Sequence, residues 1–229
     1  MSARRIPLLS YVFMKILEMK PATYDRHMDR ASRGHVFKAK QAVAEEVTPG
    51  SYVLDIGCGT GDLARMMIER DCIVDGFDMS PAMIMAAEER IETEHLARKF
   101  SARQIGVEGM DGIAAETYDA IVSMLVFSEL NDDERCFALQ QAQRILRPGG
   151  IIIIADEVVP QTGCRRILQS IIRLPLFAIT YIIATGVTRP LADLAGDMAR
   201  AGVTIVKEVR SHGDSFAMIV GRKKGEGEP

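Results

Sequence analysis

The chain has 229 residues, 48% of them hydrophobic, and its 28 basic and 31 acidic side chains leave a net charge of −3. That length suits one large domain or two small ones, and the apolar content can fill a core without disulfide or metal staples. Near-balanced charge with no basic block excludes general nucleic-acid binding, which needs clustered Lys and Arg to neutralise phosphates.

From the amino terminus, residues 7–47 read as helical cover, with Pro21 and Gly34 as breaks. Arg4 and Arg5 precede a mixed stretch that Lys15, Glu18 and Lys20 interrupt, which does not read as a signal peptide. An alternation follows. "SYVLDI" (51–56) is a short buried strand, and "GDLARMMIERD" (61–71) has helical periodicity. "CIVDGFD" (72–78) is the second strand. Ser80 then caps a helix, with Pro81 at its first position. "FSARQIGV" (100–107) is the third strand and "YDAIVSML" (118–125) the fourth. A helix from Asp132 to Leu146 ends at "RPGG" (147–150). "GIIIIAD" (150–156) has four consecutive isoleucines, the pattern of a central strand buried on both faces. "VTIVKEVR" (203–210) and "SFAMIVGRK" (215–223) form a terminal hairpin, so the last strand runs antiparallel.

Strands alternating with helices predict an α/β fold: a Rossmann-like, seven-stranded mixed sheet with helices on both faces and an antiparallel terminal hairpin strand. The expected division is an N-terminal helical cover (1–47) and one domain (48–229). Residues 157–200 form a helical insertion or lid, and 223–229 a disordered tail. Within the insertion, 167–186 is strongly apolar. Its uncharged part, Leu174 to Val187, contains Pro175 and follows Arg173; it falls short of the roughly 20 residues a spanning helix needs. An apolar wall or lid is expected, which leaves peripheral membrane contact open. Cys58, Cys72, Cys136 and Cys164 form no Cys-x-x-Cys clip and no zinc spacing with a histidine. They read as buried free thiols of a reducing cytoplasm, and no metal is expected.

The loop after the first strand, "DIGCGTGD", carries the chemistry. A glycine-rich turn between strand and helix brings backbone N–H groups close to a ligand. The dinucleotide fingerprint G-x-G-x-x-G would need glycine at position 62, which is Asp62. No Lys-Ser/Thr follows, so a Walker loop is excluded. Asp55, at the strand end, suits a cationic amino acid better than a pyrophosphate. Asp78 ends the second strand and can accept both ribose hydroxyls. Together they point to a nucleoside that carries an amino acid, as S-adenosylmethionine does.

On "VLDIGCGTGDLA", Asp78, "YDAIVSMLVFSEL" and "RILRPGGIIIIADE", the chain resembles the class I S-adenosylmethionine-dependent methyltransferases over residues 51–157. The resemblance implies that Gly57, Cys58, Gly59 and Gly61 let the backbone touch the methionine moiety. Asp55 would contact its ammonium, Asp78 the ribose and Met79 the adenine, with Ser123 also in the cofactor site. Relatives often place an acidic side chain after the third strand against the adenine amino group. "QIGVEGMD" departs from this, so only the backbone at Glu108–Gly109 is expected to serve.

The acceptor side is less specific. Tyr24, Asp25, His27, Ser128, Glu129, Asp156 and Glu157 are the candidates, with Tyr24, Glu129 and Asp156 foremost. "SYVFMKILEMKPATYDRHMD", "VFSELNDDE", "IADEVVP", "RLPLFAITYIIATGVTRPL" and "GDSFAMIVGRK" resemble the corrinoid protein-associated methyltransferases. That resemblance implies a cytoplasmic enzyme methylating, or working beside, a corrinoid protein. Two alternatives stand: a C- or O-methyltransferase on a lipophilic quinol-like small molecule, and a non-catalytic S-adenosylmethionine-binding partner of a corrinoid protein. A reduced cobalt nucleophile carries no proton and needs no base; a quinol does.

Overall fold

The structure is a computed structural model that describes residues 21–161 and 189–225. Seven strands form one sheet: β1 (Tyr52–Ile56), β2 (Ile73–Asp78), β3 (Phe100–Gln104), β4 (Tyr118–Met124), β5 (Leu146–Glu157), β6 (Val203–Ser211) and β7 (Phe216–Lys223). Their order is β3-β2-β1-β4-β5-β7-β6. β3, β2, β1, β4 and β5 pair in parallel, and β7 runs antiparallel between β5 and β6. The expected mixed sheet with a terminal hairpin is what forms.

The helices are α1 (Pro21–Ala31), α2 (His35–Glu46), α3 (Asp62–Ile68), α4 (Pro81–Thr93), α5 (Asp132–Ile145) and α6 (Leu194–Arg200). Alternation along the strands feeds two cores. Leu54, Ile56, Ile152 and Ile154 face one side, against Leu139, Ala142 and Ile145 of α5 and Met198 of α6. Val53, Ile153 and Ala155 face the other, against Val43 of α2, Leu63 and Met67 of α3 and Ile91 of α4. Ile152, Ile153 and Ile154 are each at most 1% exposed, so β5 is buried on both faces as its isoleucine run requires.

Local signals act as expected at several ends. Pro21 opens α1, and Gly34, at φ +80°, separates α1 from α2. Ser80 Oγ accepts from Met83 N at 3.4 Å, capping α4. Asn131 and Glu134 add a reciprocal capping box on α5 that the sequence reading does not single out. Two boundaries need correction. β3 stops at Gln104 rather than 107, because Val107–Gly112 tightens into a 3-10 turn that buries Val107 and Met110. The helix predicted to Leu146 ends at Ile145; "RPGG" then enters β5, where a register shift and Gly149 at φ +77° absorb the irregularity.

Of the cysteines, Cys58 and Cys72 are buried but Cys136 is exposed, contrary to the expectation for all four; Cys164 lies outside the described residues. No helix among the described residues is long and apolar enough to cross a membrane. The apolar run 167–186, residues 7–20 of the helical cover and the end of the tail lie outside the described residues.

The order of the strands positions the site. The chain winds outward from β1 to β3, then returns to β4 beside β1. A crevice opens at such a switch point, outside the carboxyl ends of the strands.

Candidate active site at the switch point

The loop from Gly57 to Gly61 leaves β1 at this crevice. Gly57 and Cys58 donate their N–H groups to Phe77 O, both at 2.9 Å, which ties the loop to the end of β2. Gly57 sits at φ +72°, and a Cβ there would stand 2.2 Å from Val126 Cγ2. Only glycine fits both the backbone and the valine. Gly59, at φ +52°, differs: an added Cβ would meet nothing within 4 Å. The space above Gly59 is therefore a cradle that a side chain would fill. Gly61 caps α3 at φ +73°, with Ala87 of α4 close by. Asp62, where a dinucleotide site would have its third glycine, pairs with Lys40 at 2.9 Å and Arg90 at 3.0 Å.

Two carboxylates flank the loop. Asp78 Oδ2 accepts from Gly59 N at 3.0 Å and Oδ1 from Ser80 N at 2.8 Å. Asp78 thus shapes the loop as well as facing the crevice. Asp55 is 1% exposed, and its Oδ2 is buried with no partner among the described residues. Burial, reinforced by the negative charge of Asp78, pushes its carboxyl up to about 7; Lys40 opposes this. A buried acceptor without a donor is costly and fits a ligand that brings one. The cradle and this orphaned acceptor together fit an amino-acid-bearing ligand with a cationic head.

The other expected cofactor residues divide. Met79 is 72% exposed beside Asp78, an apolar surface open at the crevice. Cys58 is buried, its thiol held protonated by burial and by Asp55 and Asp78. Ser123 is buried and donates to Ile56 O at 3.1 Å, joining β4 to the end of β1. After β3, the Glu108 carboxylate folds back over Gly106, and Gly109 N donates to Gly106 O at 3.1 Å.

On the acceptor side, Leu125 takes φ +59°, a conformation L residues rarely adopt, and turns the chain after β4 toward the crevice. Asp156 is wholly buried; it accepts from Ser128 N at 3.0 Å and from Glu157 N at 2.7 Å, and burial raises its carboxyl above the usual range. Glu129 reaches solvent through the open crevice yet stands deep among protein atoms. Its carboxyl is pushed up to about 7 by desolvation, then by Asp156 and Asp78. Tyr24, from α1, lies close enough to feel Glu129, Asp25 and Asp78. Burial and those charges push its phenol up to about 12. The fold brings the acceptor candidates Tyr24 and Glu129 within electrostatic reach of Asp78, which in turn neighbours Asp55. Asp25, another acceptor candidate, is taken up otherwise: Thr60 donates to it at 2.7 Å, Arg90 at 2.6 Å and Lys40 at 3.0 Å. Nothing is described of the His27 side chain.

Comparison with known proteins follows the same lines. Residues 53–150 match the family described as "Methyltransferase domain". The chain is 27% identical over 147 residues to the ubiquinone biosynthesis O-methyltransferase of Psychrobacter cryohalolentis, covering 62% of this chain and 55% of that one. An uncharacterized methyltransferase of Geobacillus kaustophilus is 30% identical over 151 residues, covering 63% and 66%. The chain thus spans little more than half the length of the first of these relatives. Among solved structures, the fold is shared with the 1,6-didemethyltoxoflavin-N1-methyltransferase of Burkholderia thailandensis, with bound 1,6-didemethyltoxoflavin and S-adenosylhomocysteine. There the TM-score is 0.66 and the identity 15%, over 98% of this chain and 93% of that one. It is shared equally with the [4+2]-cyclase SpnF, at TM-score 0.65 and 21% identity over 82% and 80%. Fold alone therefore does not decide the reaction. The sequence match is more specific: it places a methyltransferase domain over residues 53–150 of this chain.

Proposed function

We propose that the chain transfers the methyl group of S-adenosylmethionine to an acceptor seated between Tyr24 and Glu129, with Asp156 buried behind Glu129, and that the acceptor is a small molecule that must lose a proton. S-adenosylmethionine supplies an activated methyl sulfonium, so the protein's work is alignment, exclusion of water and proton removal. In this reading, Asp55 holds the ammonium of the cofactor. The backbone of Gly57–Gly61 lies along its methionine part, Asp78 takes the ribose hydroxyls, and Met79 and the backbone at Glu108–Gly109 border the adenine. Helices α1 and α2 cover the domain that begins near residue 48, in a cytoplasmic setting. The observation that carries the acceptor side is Glu129: a carboxyl open to the crevice and poised near neutrality can accept a proton.

A corrinoid-associated acceptor is the second reading. What favours it is the resemblance of "VFSELNDDE" and "IADEVVP", the segments that carry Glu129 and Asp156. Two assays separate the readings. One follows conversion of S-adenosylmethionine to S-adenosylhomocysteine with catechol and hydroquinone probes. The other follows methylcobalamin absorbance from anaerobic cob(I)alamin, alone and with a corrinoid protein. Turnover only with cob(I)alamin selects the second reading. Tighter calorimetric binding of NAD than of S-adenosylhomocysteine refutes both.

The cofactor site makes its own prediction. The Asp55 carboxyl is raised, so it is largely neutral at pH 6 and ionised at pH 8. A cationic ligand group needs the ionised form, so binding must expel the proton below about pH 7. Affinity for S-adenosylhomocysteine then rises with pH, approaching about tenfold per unit below pH 7, and levels off above it. Asp55→Asn flattens the profile and Glu129→Gln keeps it. A flat wild-type profile from pH 5.5 to 8 removes Asp55 from the site.

A further inference from the structure

We infer that Asp25 is a positioning residue that latches helix α1 onto the glycine loop, so that the roof of the site and the floor of the cofactor cradle are set by one side chain. The inference rests on the proposed cofactor site and extends it.

The geometry is a closed ring of alternating charge. Asp25 pairs with Lys40 and Arg90, and Asp62 pairs with the same two cations. All four side chains are only 15–22% exposed, so solvent screens them poorly. Asp62 meets Arg65 as well, at 3.6 Å within α3, whereas the third partner of Asp25 lies in the glycine loop. The hydroxyl of Thr60, a 4%-exposed residue between Gly59 and Gly61, donates to Asp25 Oδ2 at 2.7 Å. Arg90 reaches the same oxygen from α4. One carboxylate of α1 therefore joins α2, the glycine loop and α4.

None of the described side chains of α1 is fully buried. Among the described residues, Asp25 carries the polar contacts of α1 to the loop and to α4, and Asp29 a further one to Phe37 N of α2. Its neighbour Tyr24 is the residue that reaches the charges of Glu129 and Asp78. On the loop's other side, Gly59 N is held by Asp78. The loop is thus pinned from below by Asp78 and from above by Asp25 through Thr60. Opening the upper latch frees Tyr24 and the loop together.

The test compares wild type, Asp25→Asn, Thr60→Val and Thr60→Ser. Hydrogen–deuterium exchange is followed in peptides covering residues 21–31 and in β4 and β5, and S-adenosylhomocysteine affinity is measured by calorimetry. Asp25→Asn is expected to speed exchange in 21–31 about tenfold, leave β4 and β5 unchanged and weaken binding five- to tenfold. Thr60→Val weakens binding similarly, and Thr60→Ser, which keeps the hydroxyl, restores it. Exchange and affinity of Asp25→Asn within twofold of wild type overturn the latch, as does faster exchange throughout the sheet, which marks a general structural role. A wild type that binds no S-adenosylhomocysteine refutes the proposed cofactor site instead. The exchange of the ligand-free variants then decides the latch by itself.

Discussion

Gly59→Val lowers affinity for S-adenosylhomocysteine by more than about a hundredfold while the protein still folds. Two effects act. The backbone at Gly59 lies at φ +52°, where a β-branched residue costs about 1–2 kcal/mol. The side chain also points into the open space above the loop, where the proposed ligand lies. The first effect alone would lower stability and leave the cradle usable once folded. Gly50→Val separates them. Gly50, in the turn before β1 at the opposite end of that strand from the crevice, has φ +82° and equally open surroundings. It should show comparable strain in thermal unfolding and unchanged binding. Normal affinity in folded Gly59→Val means the loop does not cradle the ligand.

That loop was legible because its signal is local. Alternating glycines after an apolar run can be read within a dozen residues, as can the isoleucine run of β5 and the cap at Ser80. The latch was not. Asp25 meets Lys40, Thr60 and Arg90 across separations of 15, 35 and 65 residues, and no periodicity links them. Asp62 was noticed only as a missing glycine; its positive role, pairing with Lys40 and Arg90, appears once α2, α3 and α4 pack together. The end of β3 was misjudged for a related reason. Ile105 and Val107 continue the apolar pattern, but they pack under a tight turn against the core rather than along an edge strand. Tertiary packing overrides the local pattern there. Glu129 was named from its place after β4, yet its poise near neutrality follows from Asp156 and Asp78, which the fold brings beside it.

That poise sets the largest effect expected of the acceptor side. Glu129→Gln should lower kcat on a proton-bearing acceptor by about a hundredfold to ten-thousandfold, the range for a lost general base, with KM changing much less. Tyr24 cannot replace it, since a phenol pushed to about 12 is protonated at neutral pH. Asp156 cannot replace it either: its carboxylate is wholly buried and committed to Ser128 N and Glu157 N. The pH profile identifies the group. Wild-type rate should fall as pH drops through about 7, because a protonated Glu129 cannot take a proton. Asp156→Asn removes one of the charges that raise Glu129, so it should move that limb to lower pH rather than abolish activity. A structural defect at Asp156 would lower the rate at every pH and leave the limb in place. If Glu129→Gln keeps its rate within about threefold while the enzyme methylates cob(I)alamin, no proton leaves the acceptor, and the corrinoid reading replaces the small-molecule one.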